Sequence, residues 1–177
     1  MVAVSGSHYV FYIMATHLKS LSDFSHTTIP RGDKFKIGIV TAQWNANVTG
    51  TLYKGAIALL SKYGVSNDNI IEVTVPGSFE LTSGADILLN AKALDVVICL
   101  GCVVKGETPH FDFICAAVAN GITNVSIKHN KPVIFGVLTT STVEQALARA
   151  GGKHGNKGEE AAATALLMAD LNWNLNH

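Results

Sequence analysis

The chain has 177 residues, a length that suits one domain able to bury a full core without disulfides or metals. Its 13 Lys and Arg balance its 13 Asp and Glu, and a formal net charge of +0 offers no field to attract nucleic acid. Hydrophobic residues reach 48% and charged ones only 15%, against about 25% charged in an ordinary soluble domain. No apolar run approaches the roughly 20 residues of a membrane span, so the surplus apolar surface either enlarges the core or, as the preferred reading, lines subunit interfaces in part.

Residues 1–33 differ in character from the rest. HYVFYIMA is apolar but short, has no basic residue before it and no small-residue cleavage site, and makes a poor signal peptide. Met14 is a candidate start, with residues 1–13 an upstream extension. Residues 14–33 are polar and are expected to form an arm or loose tail, partly disordered. The domain proper is taken as residues 34–177.

From Lys36 onward apolar runs alternate with helical patterns. KIGIVTA (36–42) reads as a buried strand. Leu52, Ala56, Leu59, Leu60 and Tyr63 recur at helical spacing, and Gly64 ends that helix. IIEVTV (70–75) is the second strand, closed by Pro76 and Gly77, and residues 79–89 suit a helix. DVVICLG (95–101) is the third strand, followed by a helix over 111–127. PVIFGVL (132–138) is the fourth. STVEQALARAG gives a short helix with Ser141 or Thr142 as N-cap. GGKHGNKG is a glycine-rich turn, and residues 159–173 form the last helix. Four such alternations predict an α/β fold: a four-stranded parallel sheet covered by helices on both faces.

Cys99 and Cys102 form a C-x-x-C, and Cys115 is the third cysteine. Without a secretion signal they point to a reducing compartment. A redox pair normally opens a helix. Here Cys99 lies inside an apolar run, so buried thiols are the simpler reading.

Ligands of open parallel sheets bind beyond the carboxyl ends of the strands. After the first strand come Trp44 and Asn45, and after the second come Ser78, Phe79 and Glu80. After the third come Lys105, Gly106, Glu107, Thr108 and His110, and past the fourth come Arg149, Lys153 and Lys157. The aromatic rings suit stacking on a flat heterocycle, although either could be plain rim packing. Gly106, Glu107 and Thr108 offer backbone N–H groups before a helix, which suits an anion. Arg149 can hold a phosphate with two prongs, or cap the short helix. His110 has a charge that changes near neutral pH, as a proton shuttle requires. Lys157 stands where a helix N-terminus disfavours a cation, and an anionic ligand would compensate it. No P-loop, dinucleotide fingerprint or metal-ligand spacing stands out.

Six pieces, IVTAQWN, VPGSFEL, LGCVVKGETPHFDF, PVIFGVLTT, EQALARAG and GNKGEEAA, occur in the order and spacing of one family. From about Lys36 to Leu171 the chain resembles the lumazine synthases. The resemblance implies a flavodoxin-like, three-layer αβα sandwich and a condensation that needs no cofactor and no metal. A ribitylaminouracil amine attacks the ketone of 3,4-dihydroxy-2-butanone 4-phosphate. Phosphate and water leave, and the lumazine formed is the penultimate intermediate of riboflavin synthesis.

By the same resemblance Trp44 stacks on the pyrimidine, and Ser78, Phe79 and Glu80 bind the ribityl chain. Cys102, Val103 and Val104 line the ring pocket through backbone groups. Gly106, Glu107, Thr108 and Arg149 hold phosphate, and His110 moves the proton. Phe135 and Lys157 reach the ring from a neighbouring copy, and Arg149 reaches the phosphate from there as well. The family forms pentamers. AGGKHGNKGEE lacks the insertion that blocks packing of twelve pentamers, so a sixty-subunit shell is expected, with riboflavin synthase as a candidate cargo. A cytoplasmic location, with no membrane or nucleic-acid partner, completes the expectation.

Overall fold

A computed structural model describes residues 20–25 and 27–176. Both the candidate start at Met14 and the upstream extension lie outside the described residues. Four strands, β1 (Ile37–Ala42), β2 (Ile70–Val75), β3 (Val96–Val104) and β4 (Val133–Thr140), form one all-parallel sheet in the order β2-β1-β3-β4. The main helices are α1 (Ala46–Lys62), α2 (Leu81–Ala91) and α3 (His110–His129). A short α4 (Val143–Ala148) and a hairpin, β5 (Ala150–Gly152) with β6 (Gly155–Asn156), lead into α5 (Lys157–Asn176).

Side chains of successive strand residues point to opposite faces, and the core divides accordingly. Ile37, Ile39, Val96, Ile98, Leu100 and Ile134 pack under α1 and α5. Val40, Ala42, Val97, Cys99, Val133 and Val137 pack under α2 and α3. Each face thus buries a continuous apolar layer, the pattern that a parallel sheet covered on both sides requires. The expected αβα architecture is what the chain adopts.

The same alternation answers the C-x-x-C question. Cys99 belongs to the α2–α3 side and Cys102 to the α1–α5 side, so the two thiols sit on opposite faces of β3. Burial pushes the Cys99 thiol up to about 12 and that of Cys102 up to about 11. All three cysteines are free.

Several boundaries differ from the sequence reading by a few residues, and three of them have a visible cause. β3 runs on to Val104, because residues 101–104 stay paired with β4. Gly101 is there for a close approach, not as a stop: a Cβ on it would lie 2.8 Å from the Ser78 hydroxyl. α2 begins at Leu81, not at Phe79, because the Glu80 carboxylate accepts from the Gly77 N–H at 3.0 Å and holds the preceding residues in a turn. α5 begins at Lys157, and Asn156 Oδ1 accepts from the Gly158 N–H at 2.8 Å. Gly158 lies against α1, where any Cβ would overlap the Leu52 carbonyl.

Residues 27–33, assigned above to an arm, lie against the body. Ile29 is buried in the core, and Gly32 N–H donates to the Tyr63 carbonyl at 2.8 Å. Among the described residues, no helix is long and apolar enough to cross a membrane.

Candidate active site

The carboxyl edge of the sheet gathers the first group of residues. Gln43 and Trp44 prolong the β1–β2 ladder, their N–H groups donating to Val75 and Pro76 carbonyls at 2.9 and 3.1 Å. Trp44 therefore stands beside the turn that carries Ser78, Phe79 and Glu80. Trp44 is 75% exposed and Phe79 55% exposed, so both side chains are open to a ligand instead of filling the core.

Two side chains knit this edge to β3. Asn45 Nδ2 donates to the Cys102 carbonyl at 3.0 Å, and the Ser78 hydroxyl donates to the same oxygen at 3.4 Å. Asn45 adopts φ 59°, ψ 46°, a left-handed conformation that Asn tolerates better than most residues. The sequence reading places Asn45 after the first strand but gives it no role. Its signal is faint: an Asn between a strand and a helix, with a partner 57 residues away. Ser78 is buried with its hydroxyl turned inward to Cys102. Its oxygen lone pairs, not its proton, are what it can offer a ligand.

Beyond Val104 the chain leaves the sheet. Lys105 N–H donates to the Thr140 carbonyl at 2.8 Å and closes the β3–β4 ladder. The next three N–H groups, of Gly106, Glu107 and Thr108, find no acceptor among the described residues. Pro109 follows as the N-cap of α3, with no side chain capping it, and His110 is the first helical residue. This exposed run of free donors sits at the positive end of a 20-residue helix. A phosphate or carboxylate is the ligand class that such an arrangement accepts.

A second group lies elsewhere. Thr142 caps α4, its hydroxyl accepting from Gln145 N–H at 3.3 Å. Arg149 Nη1 donates to the Gln145 carbonyl at 3.0 Å at the other end of that helix. Lys157 Nζ pairs with Glu160 Oε1 at 2.5 Å. The sequence reading looked to a bound anion to compensate Lys157, and Glu160 does so within the chain. Phe135 is half-buried on β4, the strand at the edge of the sheet, and packs toward the α2–α3 side. No hydrogen bond or ion pair among the described residues joins Arg149 or Lys157 to Trp44, Ser78, Glu80 or His110. No cluster of His, Cys, Asp and Glu suited to a metal occurs among the described residues.

A sequence profile described as 6,7-dimethyl-8-ribityllumazine synthase matches residues 34–172. The chain belongs to that family. Among its relatives is the 6,7-dimethyl-8-ribityllumazine synthase of Cytophaga hutchinsonii, 57% identical over 155 residues, covering 88% of this chain and 97% of that protein. The enzyme of the same name from Porphyromonas gingivalis is 55% identical over 158 residues, covering 89% and 98%. That from Parabacteroides distasonis is 50% identical over 158 residues, covering 89% and 99%. Membership makes the chain an enzyme of the transferase class, at work in riboflavin biosynthesis. Lumazine synthases thus supply the chemistry against which the open edge is to be read.

Proposed function

We propose that the condensation takes place at the carboxyl edge of the sheet, between Trp44, the turn at residues 77–80 and the loop at residues 105–110. The observation that carries this reading is the run of three free backbone donors immediately before His110. They receive the phosphate of the butanone substrate. Trp44 stacks on the pyrimidine ring. Phe79, Glu80 and the lone pairs of Ser78 face the ribityl chain, and the backbone of Cys102, Val103 and Val104 borders the ring.

The chemistry asks for orientation first. Holding an amine against a ketone converts a bimolecular step into a nearly unimolecular one, worth roughly 7–11 kcal/mol in favourable cases. The amine nitrogen adds to the carbonyl carbon, and water leaves to give an imine. His110 then relays protons as phosphate is expelled and the ring closes with loss of a second water. The free N–H groups stabilise the departing phosphate dianion.

Arg149, Lys157 and Phe135 complete the site from a neighbouring copy. In support, they have no bonded link to the first group, and Phe135 lies on an edge strand. Ile87, Phe113 and Ile127 are exposed large apolar side chains on α2 and α3, as an interface between copies would use. The assembly is a pentamer, built further into a sixty-subunit shell that can carry riboflavin synthase. Three free thiols suit a cytoplasmic home.

Mixing the chain with both substrates and following lumazine fluorescence tests the reaction. Ring binding without turnover would instead favour a non-catalytic flavin or lumazine carrier. Sedimentation tests the assembly, because pentamer and shell differ about twelvefold in mass.

A further inference from the structure

The β5–β6 hairpin is held from outside by the segment that precedes the domain. Leu21 N–H donates to the His154 carbonyl at 2.7 Å, and the Ser22 hydroxyl accepts from Asn156 N–H at 3.0 Å. The segment lies directly on Gly155. A Cβ there would stand 2.5 Å from the Ser20 hydroxyl and 2.8 Å from the backbone nitrogens of Leu21 and Ser22.

From inside, the hairpin is held by buried Asn156. Its Nδ2 donates to the Thr51 carbonyl on α1 at 3.1 Å, and its Oδ1 accepts from Gly158 N–H on α5 at 2.8 Å. Asn156 thus spends its backbone donor on Ser22, its amide donor on α1 and its carbonyl on α5. Arg149 and Lys157 flank this unit, one just before β5 and one just after β6. His154 N–H donates to the Ala148 carbonyl at 2.8 Å and Lys157 N–H to the Arg149 carbonyl at 2.9 Å. Any slackening of the hairpin changes how these two cations stand to each other.

We propose that Ser22 is a positioning residue for the reaction, acting through Asn156 to hold Arg149 where it receives the phosphorylated ketone. The proposal rests on the phosphate role given above to Arg149. Ser22 does not contact substrate. Without its hydroxyl, the Asn156 N–H loses its acceptor and the hairpin loses a tie to residues 20–22. A neutral hydrogen bond has a net worth of order 1 kcal/mol, which corresponds to about fivefold in an equilibrium constant.

The test compares Ser22→Ala and Ser22→Thr in the full chain, alone and combined with Arg149→Ala. Steady-state kinetics are recorded with each substrate varied in turn, and amide exchange is followed over residues 150–158. In Ser22→Ala, exchange across the hairpin is expected to quicken. KM for the phosphorylated ketone rises about fivefold, kcat changes little, and Ser22→Thr restores both readouts. On the Arg149→Ala background, the further effect of Ser22→Ala on that KM largely disappears, because both changes act on one interaction. Unchanged exchange in Ser22→Ala overturns the strap itself. Quicker exchange with an unchanged KM, or an equal rise on the Arg149→Ala background, overturns the positioning role. An unchanged KM in Arg149→Ala alone marks instead the failure of the site reading beneath it, and the proposal falls with that reading.

Discussion

Lys157 N–H donates to the Arg149 carbonyl at 2.9 Å, so two cations eight positions apart in sequence are tied by their backbones. The bond makes the hairpin a mount for both. Arg149→Ala is expected to raise KM for the butanone phosphate by roughly tenfold or more, the worth of about 1.5–3 kcal/mol for a hydrogen bond to a charged group. KM for the ribitylaminouracil should move much less. Initial rates with each substrate varied separately check this, and equal KM values for variant and parent would contradict it.

His110 opens α3 directly after the free donors. Its replacement by Ala removes a proton relay but leaves the substrates aligned. Turnover should fall by about two to four orders of magnitude and still exceed the uncatalysed rate, which itself is measurable by lumazine absorbance. Loss of every trace of catalysis would mean that His110 does more than move a proton.

Asn45 combines a left-handed backbone with the bond to Cys102. Asn45→Ala should lose about 1–2 kcal/mol from the backbone conformation and of order 1 kcal/mol from the hydrogen bond. Asn45→Gly should lose chiefly the second. Urea unfolding of the two variants checks the order, and an Ala variant as stable as the Gly variant would refute the backbone part.

Asp86 on α2 accepts from Lys128 Nζ and His129 Nε2 on α3, each at 2.7 Å. The Lys128 hydrogen bond first, then that of His129, holds its carboxyl below the usual value. The folded chain therefore binds fewer protons here than the unfolded chain does near pH 4. The stability gained is complete above the unfolded value of about 3.9 and is lost as pH falls through the lower folded value. The partly exposed pair should contribute under about 1 kcal/mol. Urea midpoints taken from about pH 6 down to about pH 3 should fall more steeply for the parent than for Asp86→Asn.

Much of this molecule is legible in its residues, and the misses have physical causes. The second strand, residues 70–75, is bounded as read because Pro76 and Gly77 end it abruptly. The third reads short because Gly101 looks like punctuation, whereas its missing Cβ makes room for Ser78. Thr142 was readable as a cap because capping is local. Asn45 was not, since its partner is set by the sheet order, and no spacing rule carries that. The grouping of Trp44, Ser78, Phe79 and Glu80 follows from which strand ends lie side by side. Arg149 and Lys157 share no hydrogen bond or ion pair with them among the described residues and are tied instead to each other across the hairpin, which the sequence shows only as a run of glycines.

Gly158 has one more consequence. Because α1 and α5 meet there with backbone against the space of a side chain, the start of α5 has no room to drift or to accept a bulkier neighbour. Evolution and the engineer face the same constraint: Lys157 can be exchanged, but the pivot beside it is closed to every residue that carries a side chain, alanine included.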